Sequence, residues 1–296
     1  MSRNPERNDR KGGKKAAFSR PSGPSADGPK KGGWNPNPAA KGFKDTPARP
    51  ARGKVDADGL IWGRHPVLAA LANPARKGFG RLMATPDRAA EIETGNLSYG
   101  HKVEIMDSPM LDRMVPSGAV HQGLVFKVQP LEGVALDDIA DPAQGVIVML
   151  DQLTDPQNVG AIFRSALAFG ARGIVVQDRH SPALAGALAK AAAGATERLP
   201  CARVTNLSRA LERLADLGWR AVGLDGASKE TLETALDARP TVLVMGSEGD
   251  GIRRLVAEHC DALARIPMPG GFESLNVSNA AAIALYEVAR AQRPLA

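Results

Sequence analysis

Cysteine is almost absent: there are two in 296 residues, Cys201 and Cys260. Two thiols that far apart build neither a disulfide framework nor a zinc site, so both are expected to be simple buried side chains. Long apolar runs are missing too, since none approaches the roughly 18 residues of a membrane span. The N-terminal stretch lacks the apolar core of a secretory signal, and its Gly/Pro density opposes an amphipathic presequence helix. A cytoplasmic protein without a membrane partner is expected. No G-x-x-x-x-G-K-[ST] pattern occurs, which argues against a Walker-type nucleotide site, and no ligand cluster suggests a metal. Aliphatic side chains are missing locally, because residues 1–54 contain no Leu, Ile or Val but 8 Gly and 8 Pro. Such a segment cannot bury enough apolar surface to offset its chain entropy, and disorder is expected there.

What that segment does hold is positive charge. It carries 14 Lys/Arg against 4 Asp/Glu, a net of +10, so the other 242 residues carry 24 against 28, a net of −4, and the whole chain is +6. Runs such as Arg10-Lys11-Gly12-Gly13-Lys14-Lys15, interspersed with Phe18, Trp34 and Phe43, suit a flexible arm that binds phosphate backbones by releasing counterions. The other reading is a solvated extension with no ligand.

Past the tail, elements alternate. A helix around Val67 to Leu71, strands at Arg81 to Ala84, Lys102 to Met106 and Leu124 to Val128, and helices near Pro86 to Glu93 and Pro109 to Val115 predict a small α/β domain over 55–130. Its Gly118-Ala-Val-His-Gln-Gly123 loop either touches RNA or carries an incidental histidine. Residues 131–145, polar, acidic and Pro-containing, read as a linker with one helical turn at Asp137 to Ile139. From 146 to 296 a second alternation places strands at Val146 to Asp151, Gly173 to Val176, Ala202 to Thr205, Arg220 to Leu224, Thr241 to Met245 and Leu263 to Ile266. Helices are expected at Val159 to Phe169, Pro182 to Ala193, Leu207 to Leu217, Ile252 to Cys260 and Ala280 to Ala291. These strands are continuous apolar runs, as in parallel sheets covered on both faces, where ligands bind beyond the C-terminal strand ends.

Three loops at such ends combine glycine with polar side chains. The first, Asp151 to Gly160, contains Asn158 and leads into a helix bearing Arg164, whose helical neighbours are small or apolar. That cation needs either a substrate phosphate or an internal partner such as Asp155 or Glu248. The second, Met245-Gly-Ser-Glu-Gly-Asp-Gly251, places Met245, Gly246, Glu248 and Gly251 where a backbone could approach a ligand closely; an ordinary glycine turn is the alternative. The third runs from Ile266 through Ser274, Leu275 and Asn276 into an Ala-rich helix. There Ser274 or Asn276 caps the helix, shapes a ligand site, or does both.

Taken together, N-V-G-x-x-x-R, V-M-G-S-E-G-x-G and I-P-M-x-G-x-x-x-S-L-N-V-S resemble the three motifs of the SpoU (TrmH-like) RNA ribose 2'-O-methyltransferases. The resemblance spans residues 59–293. With Gly63-Arg64-His65 near its start and G-A-V-H-Q-G near its end, the first domain is similar to the ribosomal-protein-like substrate-binding domain of the 23S ribosomal RNA guanosine 2'-O-methyltransferases. The resemblance implies a SPOUT-type α/β methyltransferase domain with a C-terminal deep trefoil knot, a feature that general topology would not suggest. It also implies S-adenosylmethionine as cofactor, held around Met245, Gly246, Gly251, Ile266 and Leu275, ribosomal RNA as substrate, and a homodimer. By the same warrant Arg164 activates the ribose hydroxyl or clamps a phosphate. Asn158 orients Arg164 or the ribose, Glu248 fixes its loop and is open to pairing with Arg164, and Ser274 and Asn276 shape the substrate side. Asn279 departs from the small apolar residue that relatives commonly place there. A transfer RNA methyltransferase of the same family and a non-catalytic RNA-binding protein remain the alternatives.

Overall fold

A computed structural model describes residues 59–76, 80–129, 131–270 and 274–292. The basic segment 1–54, expected to be disordered, lies outside the described residues. Among those described, no helix is long and apolar enough to cross a membrane.

The first sheet has four strands, β1 (Leu60–Trp62), β2 (Arg81–Ala84), β3 (Val103–Ile105) and β4 (Leu124–Lys127), in the order β1-β4-β2-β3. Strand β4 pairs antiparallel with both β1 and β2, while β2 and β3 run parallel. Side chains alternate across this sheet. Ile61, Leu82, Leu124 and Phe126 pack against α1 (Arg64–Ala72) and α2 (Pro86–Thr94), whereas Trp62, Met83 and Val125 pack against α3 (Ser108–Met114). That period of two is what a sheet covered on both faces requires. Strand β1 was not expected from the sequence, because three residues between two glycines give no periodic signal.

The second sheet is parallel throughout: β5 (Val146–Leu150), β6 (Gly173–Gln177), β7 (Cys201–Val204), β8 (Arg220–Leu224), β9 (Thr241–Met245) and β10 (Ala262–Ala264), ordered β10-β8-β9-β5-β6-β7. Strands β5 and β9 are buried along their whole length. One face is covered by α5 (Pro156–Ala168), α6 (Gly186–Ala192) and α10 (Val277–Gln292), the other by α4 (Leu136–Ala140), α7 (Leu207–Asp216) and α9 (Arg254–Ala257). A further short helix, α8 (Leu232–Ala235), had no counterpart among the expected elements. Burial pushes the thiols of Cys201 and Cys260 up to about 11 and about 12.

Three expectations are corrected. Segment 131–145 carries the expected helical turn, as α4, but it packs into the second sheet's core instead of lying between domains: Ile139 and Ala140 are buried, Val134 bridges Ala202, and the indole Nε1–H of Trp219 donates to the Ala140 carbonyl at 2.8 Å. The helix expected from Pro182 begins only at Gly186, after a stretch whose Pro182 carbonyl accepts from Arg203. The helix expected from Ile252 shrinks to Arg254–Ala257, because Arg253 is extended and its N–H is bound to Asp151.

The smaller sheet is tied to the larger one by a buried ion pair. Arg76 binds Glu197 through Nε–Oε2 at 2.8 Å and Nη2–Oε1 at 2.9 Å, the two side chains being 4% and 1% exposed. Asn73 Nδ2 donates to the same carboxylate and Arg76 Nη1 to the Gln129 carbonyl, so no charged atom is left unmatched. A pair satisfied in this way is costly to halve, since the survivor is a buried charge. Glu197→Ala is therefore expected to lower folding stability by roughly 3–5 kcal/mol, read as a shift in the urea midpoint. A midpoint unmoved within error would show that the pair does not hold the two parts together.

Candidate active site

The loops after β5, β8, β9 and β10 belong to four adjacent strands and open at the same sheet edge. Strand β9 slots in beside β5 after the chain has crossed from one side of the sheet to the other, which makes the β5/β9 junction a topological switch point. The first loop is positioned by Asp155, whose carboxylate caps α5 by accepting from the N–H groups of Gln157 and Asn158. That places Asn158 in the first turn, facing the neighbouring loop.

The second loop turns back on itself. Ser247 and Gly251 exchange backbone hydrogen bonds at 3.0 and 3.1 Å, and Gly249 and Gly251 take positive φ of 98° and 67°. Gly246 sits directly against the returning chain, where a Cβ would lie 2.0 Å from the Gly251 carbonyl carbon. The third loop ends at Asn276, whose Oδ1 accepts from Ser278 N–H at 3.0 Å, Ser278 Oγ–H at 2.6 Å and Asn279 N–H at 3.3 Å. Asn276, not Ser274, therefore caps α10. Asn279 is exposed and disturbs no packing.

One carboxylate oxygen joins the three loops. Glu248 Oε1 accepts from Asn158 Nδ2 at 3.0 Å and Asn276 Nδ2 at 3.1 Å, with the Val277 N–H 3.5 Å away. Asn276 Nδ2 also donates to Asn158 Oδ1 at 2.9 Å, which closes the triangle. Beside this triangle lies a cleft of about 700 Å³ lined by Met245, Gly246, Glu248, Gly251, Ile266, Ser274, Leu275 and Asn276. Eight of the ten residues singled out from the sequence thus line one cleft, and Asn158 joins them through Glu248.

Arg164 does not line it. Six residues beyond Asn158 on α5, the guanidinium is exposed on a separate groove with His65 and Arg198, and neither Asp155 nor Glu248 pairs with it. Of the two readings of Arg164, the internal ion pair with Asp155 or Glu248 is not formed. The sequence also gave no warning of Asp151, which is wholly buried and binds the backbone N–H and the guanidinium of Arg253, fixing the end of β5 to the start of α9. The loop after β8, Leu224-Asp225-Gly226, lines the cleft and was missed as well. Its one signal was its place at a parallel strand's C-terminal end. The His-Gln-Gly loop is engaged internally. Buried His121 accepts from Gly123 N–H at its Nδ1 and meets Asp112 at its Nε2, while Gln122 Oε1 accepts from Arg64 N–H and Lys190 Nζ, both at 3.0 Å.

A parallel α/β sheet whose switch-point loops enclose a cleft of this size defines a protein that binds a small organic ligand at its strand ends. Residues 145–286 match the model of the SpoU rRNA methylase family, and residues 60–134 match the RNA 2'-O ribose methyltransferase substrate-binding model. An uncharacterised tRNA/rRNA methyltransferase of Mycobacterium sp. (strain KMS) is 41% identical over 263 residues, covering 86% of this chain and 83% of the relative. The crystal structure of the SpoU methyltransferase AviRb from Streptomyces viridochromogenes aligns with a TM-score of 0.66 at 25% identity, over 79% of this chain and 89% of that one. The AdoMet-bound rRNA methyltransferase from Sinorhizobium meliloti aligns at 0.64 and 27% identity, over 78% and 86%. The chain belongs to the SpoU methylase family.

Gly246→Ala is expected to destabilise the fold by roughly 1–3 kcal/mol, because the new methyl group meets backbone that cannot rotate away. Chemical denaturation measures it, and an unchanged midpoint would mean that the two sides of the loop separate freely.

Proposed function

We propose that this protein transfers a methyl group from S-adenosylmethionine to a ribose 2'-hydroxyl of 23S ribosomal RNA, at a guanosine, acting as a homodimer whose C-terminal segment is threaded into a trefoil knot. The observation that carries the reading is the convergence of Asn158, Glu248 and Asn276 on one oxygen beside the cleft. The cleft fits the cofactor by size and lining. A volume of about 700 Å³ is ample for a nucleoside with an amino-acid arm, Gly246 removes a side chain where backbone must approach, and Met245, Ile266 and Leu275 supply apolar walls.

S-adenosylmethionine bound there supplies an electrophilic methyl group on a sulfonium centre. The protein's own task is to hold a weakly acidic hydroxyl in line and ease the departure of its proton, so positioning carries most of the acceleration. Asn158 and Asn276 keep fixed orientations because their amides are bound to Glu248, and Glu248 thereby holds the glycine loop in register with α10. Ser274 and Asn276 form the substrate side. Arg164 suits a phosphate clamp better than a base, since a guanidinium is not deprotonated in proteins and this one faces a groove away from the cleft.

The match of 60–134 to a substrate-binding model supports an RNA substrate, and the rRNA methyltransferase of S. meliloti, whose alignment covers 78% of this chain, favours ribosomal RNA. The basic segment 1–54 adds a nonspecific RNA-binding arm. The dimer reading rests on α10, where Ile283 and Tyr286 are 40% and 54% exposed and Tyr286 stacks edge-on with Phe169, an apolar surface that a second copy would cover.

The test offers labelled S-adenosylmethionine with unmodified 23S RNA fragments and transfer RNA transcripts, then maps the modified nucleotide. Label is expected on a ribose of 23S RNA, and Arg164→Ala is expected to slow transfer by roughly 100-fold with cofactor binding retained. Label on a base, on transfer RNA alone, or full activity in the variant would overturn the reading.

A further inference from the structure

A second groove, of about 400 Å³, lies between the smaller sheet's α1 and the α5–α6 side of the larger sheet. Its walls carry His65 and Ala69 from α1, Arg164 and Leu167 from α5, and Arg198. Its floor is Ala192-Ala193-Gly194-Ala195. No carboxylate lines it. His65, Arg164 and Arg198 are all exposed, and among the described residues the two guanidinium groups have no ion pair or side-chain hydrogen bond.

What sets the groove apart is that two such guanidinium groups share one lining without a carboxylate. Many other arginines are committed to acids: Arg64 and Arg88 grip Glu91, Arg81 grips Glu104 and Arg213 grips Asp137. The acidic residue nearest in sequence, Glu197, cannot serve Arg198, because Arg76 and Asn73 engage both of its oxygens in the buried pair. The fold thus spends its local carboxylate on joining the two sheets and leaves two fixed cations facing one groove. The floor is as bare as side chains allow: a Cβ at Gly194 would come within 2.7 Å of the Ala69 Cβ, so the walls approach closely with nothing projecting between them. Two planar forks and an imidazole over a smooth floor suit a phosphodiester, which guanidinium groups bind in two-pronged fashion.

We propose that this groove is a phosphodiester-binding track for the substrate RNA, in which Arg198 and His65 are positioning residues that hold the strand adjoining the target ribose. Identifying the anion as RNA rests on the ribose-methylation reading above; the anion site itself rests on the groove. Helix α5 links the two places. Asn158 stands at the cleft and Arg164 at the groove, about 9 Å further along the helix axis at 1.5 Å per residue. A strand lying in the groove would therefore be carried towards the cleft by a rigid ruler.

The experiment measures binding of a 23S RNA transcript to the full chain across a salt series, alongside S-adenosylmethionine affinity and methyl transfer. Arg198→Glu is expected to weaken RNA binding about tenfold or more and to reduce the slope of log affinity against log salt by roughly 0.7 to 1. Arg198→Ala should raise KM for RNA with little change in kcat, and Arg198→Lys should recover most of the affinity. Cofactor affinity and the thermal midpoint should not move. Arg239→Glu makes the same charge change on the turn before β9, at the opposite strand ends, and should have little effect. Equal losses in Arg198→Glu and Arg239→Glu, or an unchanged affinity and salt slope in Arg198→Glu, would overturn the proposal. If the wild type bound RNA through Arg198 but methylated none, the groove would stand and the ribose-methylation reading would fall. Methylation of subsaturating RNA at the wild-type rate by Arg198→Glu would do the reverse.

Discussion

The site depends on one carboxylate oxygen. Glu248 Oε1 collects amide N–H groups from Asn158 and Asn276, and those three residues stand on loops more than a hundred positions apart at the extremes. Without it, the starts of α5 and α10 would still meet through the Asn276–Asn158 amide bond, but the glycine loop after β9 would lose its side-chain tie to both. A carboxylate is the right acceptor, because charge-assisted hydrogen bonds are stronger than neutral ones and two amides can share one anionic oxygen. Asn276 is used twice over. Its Oδ1 caps α10 while its Nδ2 reaches Glu248, so the cap and the site are fixed by the same side chain.

The sheet order explains why such a tie is possible. Strand β9 lies between β8 and β5, so loops that are distant in sequence emerge side by side. Asp151 secures the same edge from below, buried at the end of β5 and holding Arg253. Around this rigid edge the chain places two concavities of different character. One is a cleft of backbone, glycine and apolar side chains. The other is a groove with two unpaired guanidinium groups. These are the two demands that the proposed cofactor and RNA substrate would make.

Much of this was legible in the sequence, for physical reasons that differ between elements. The parallel strands showed as uninterrupted apolar runs, since both faces are covered. The cleft was legible because glycine and polar residues cluster where three of these strands end. Helix geometry sets Arg164 apart from the cleft. At 100° per residue, six residues from Asn158 turn the chain to another face, so the two side chains cannot point into one pocket. Segment 131–145 misled because its acidic, Pro-containing composition resembles a linker, whereas the burial of Ile139 and Ala140 depends on partners far away in sequence, Trp219 and Ala202 among them. Asp151 and the Arg76–Glu197 pair were invisible for the same reason: what a charged residue pairs with is a tertiary fact.

On the proposed reading, Glu248 couples the loops into one cofactor site. A double-mutant cycle on S-adenosylmethionine affinity measures this directly, using Glu248→Ala, Asn276→Ala and the pair. Each single variant is expected to lose affinity and the double to lose little more, an interaction energy of roughly 1–2 kcal/mol. Strict additivity, or single variants that bind the cofactor as the wild type does, would contradict it.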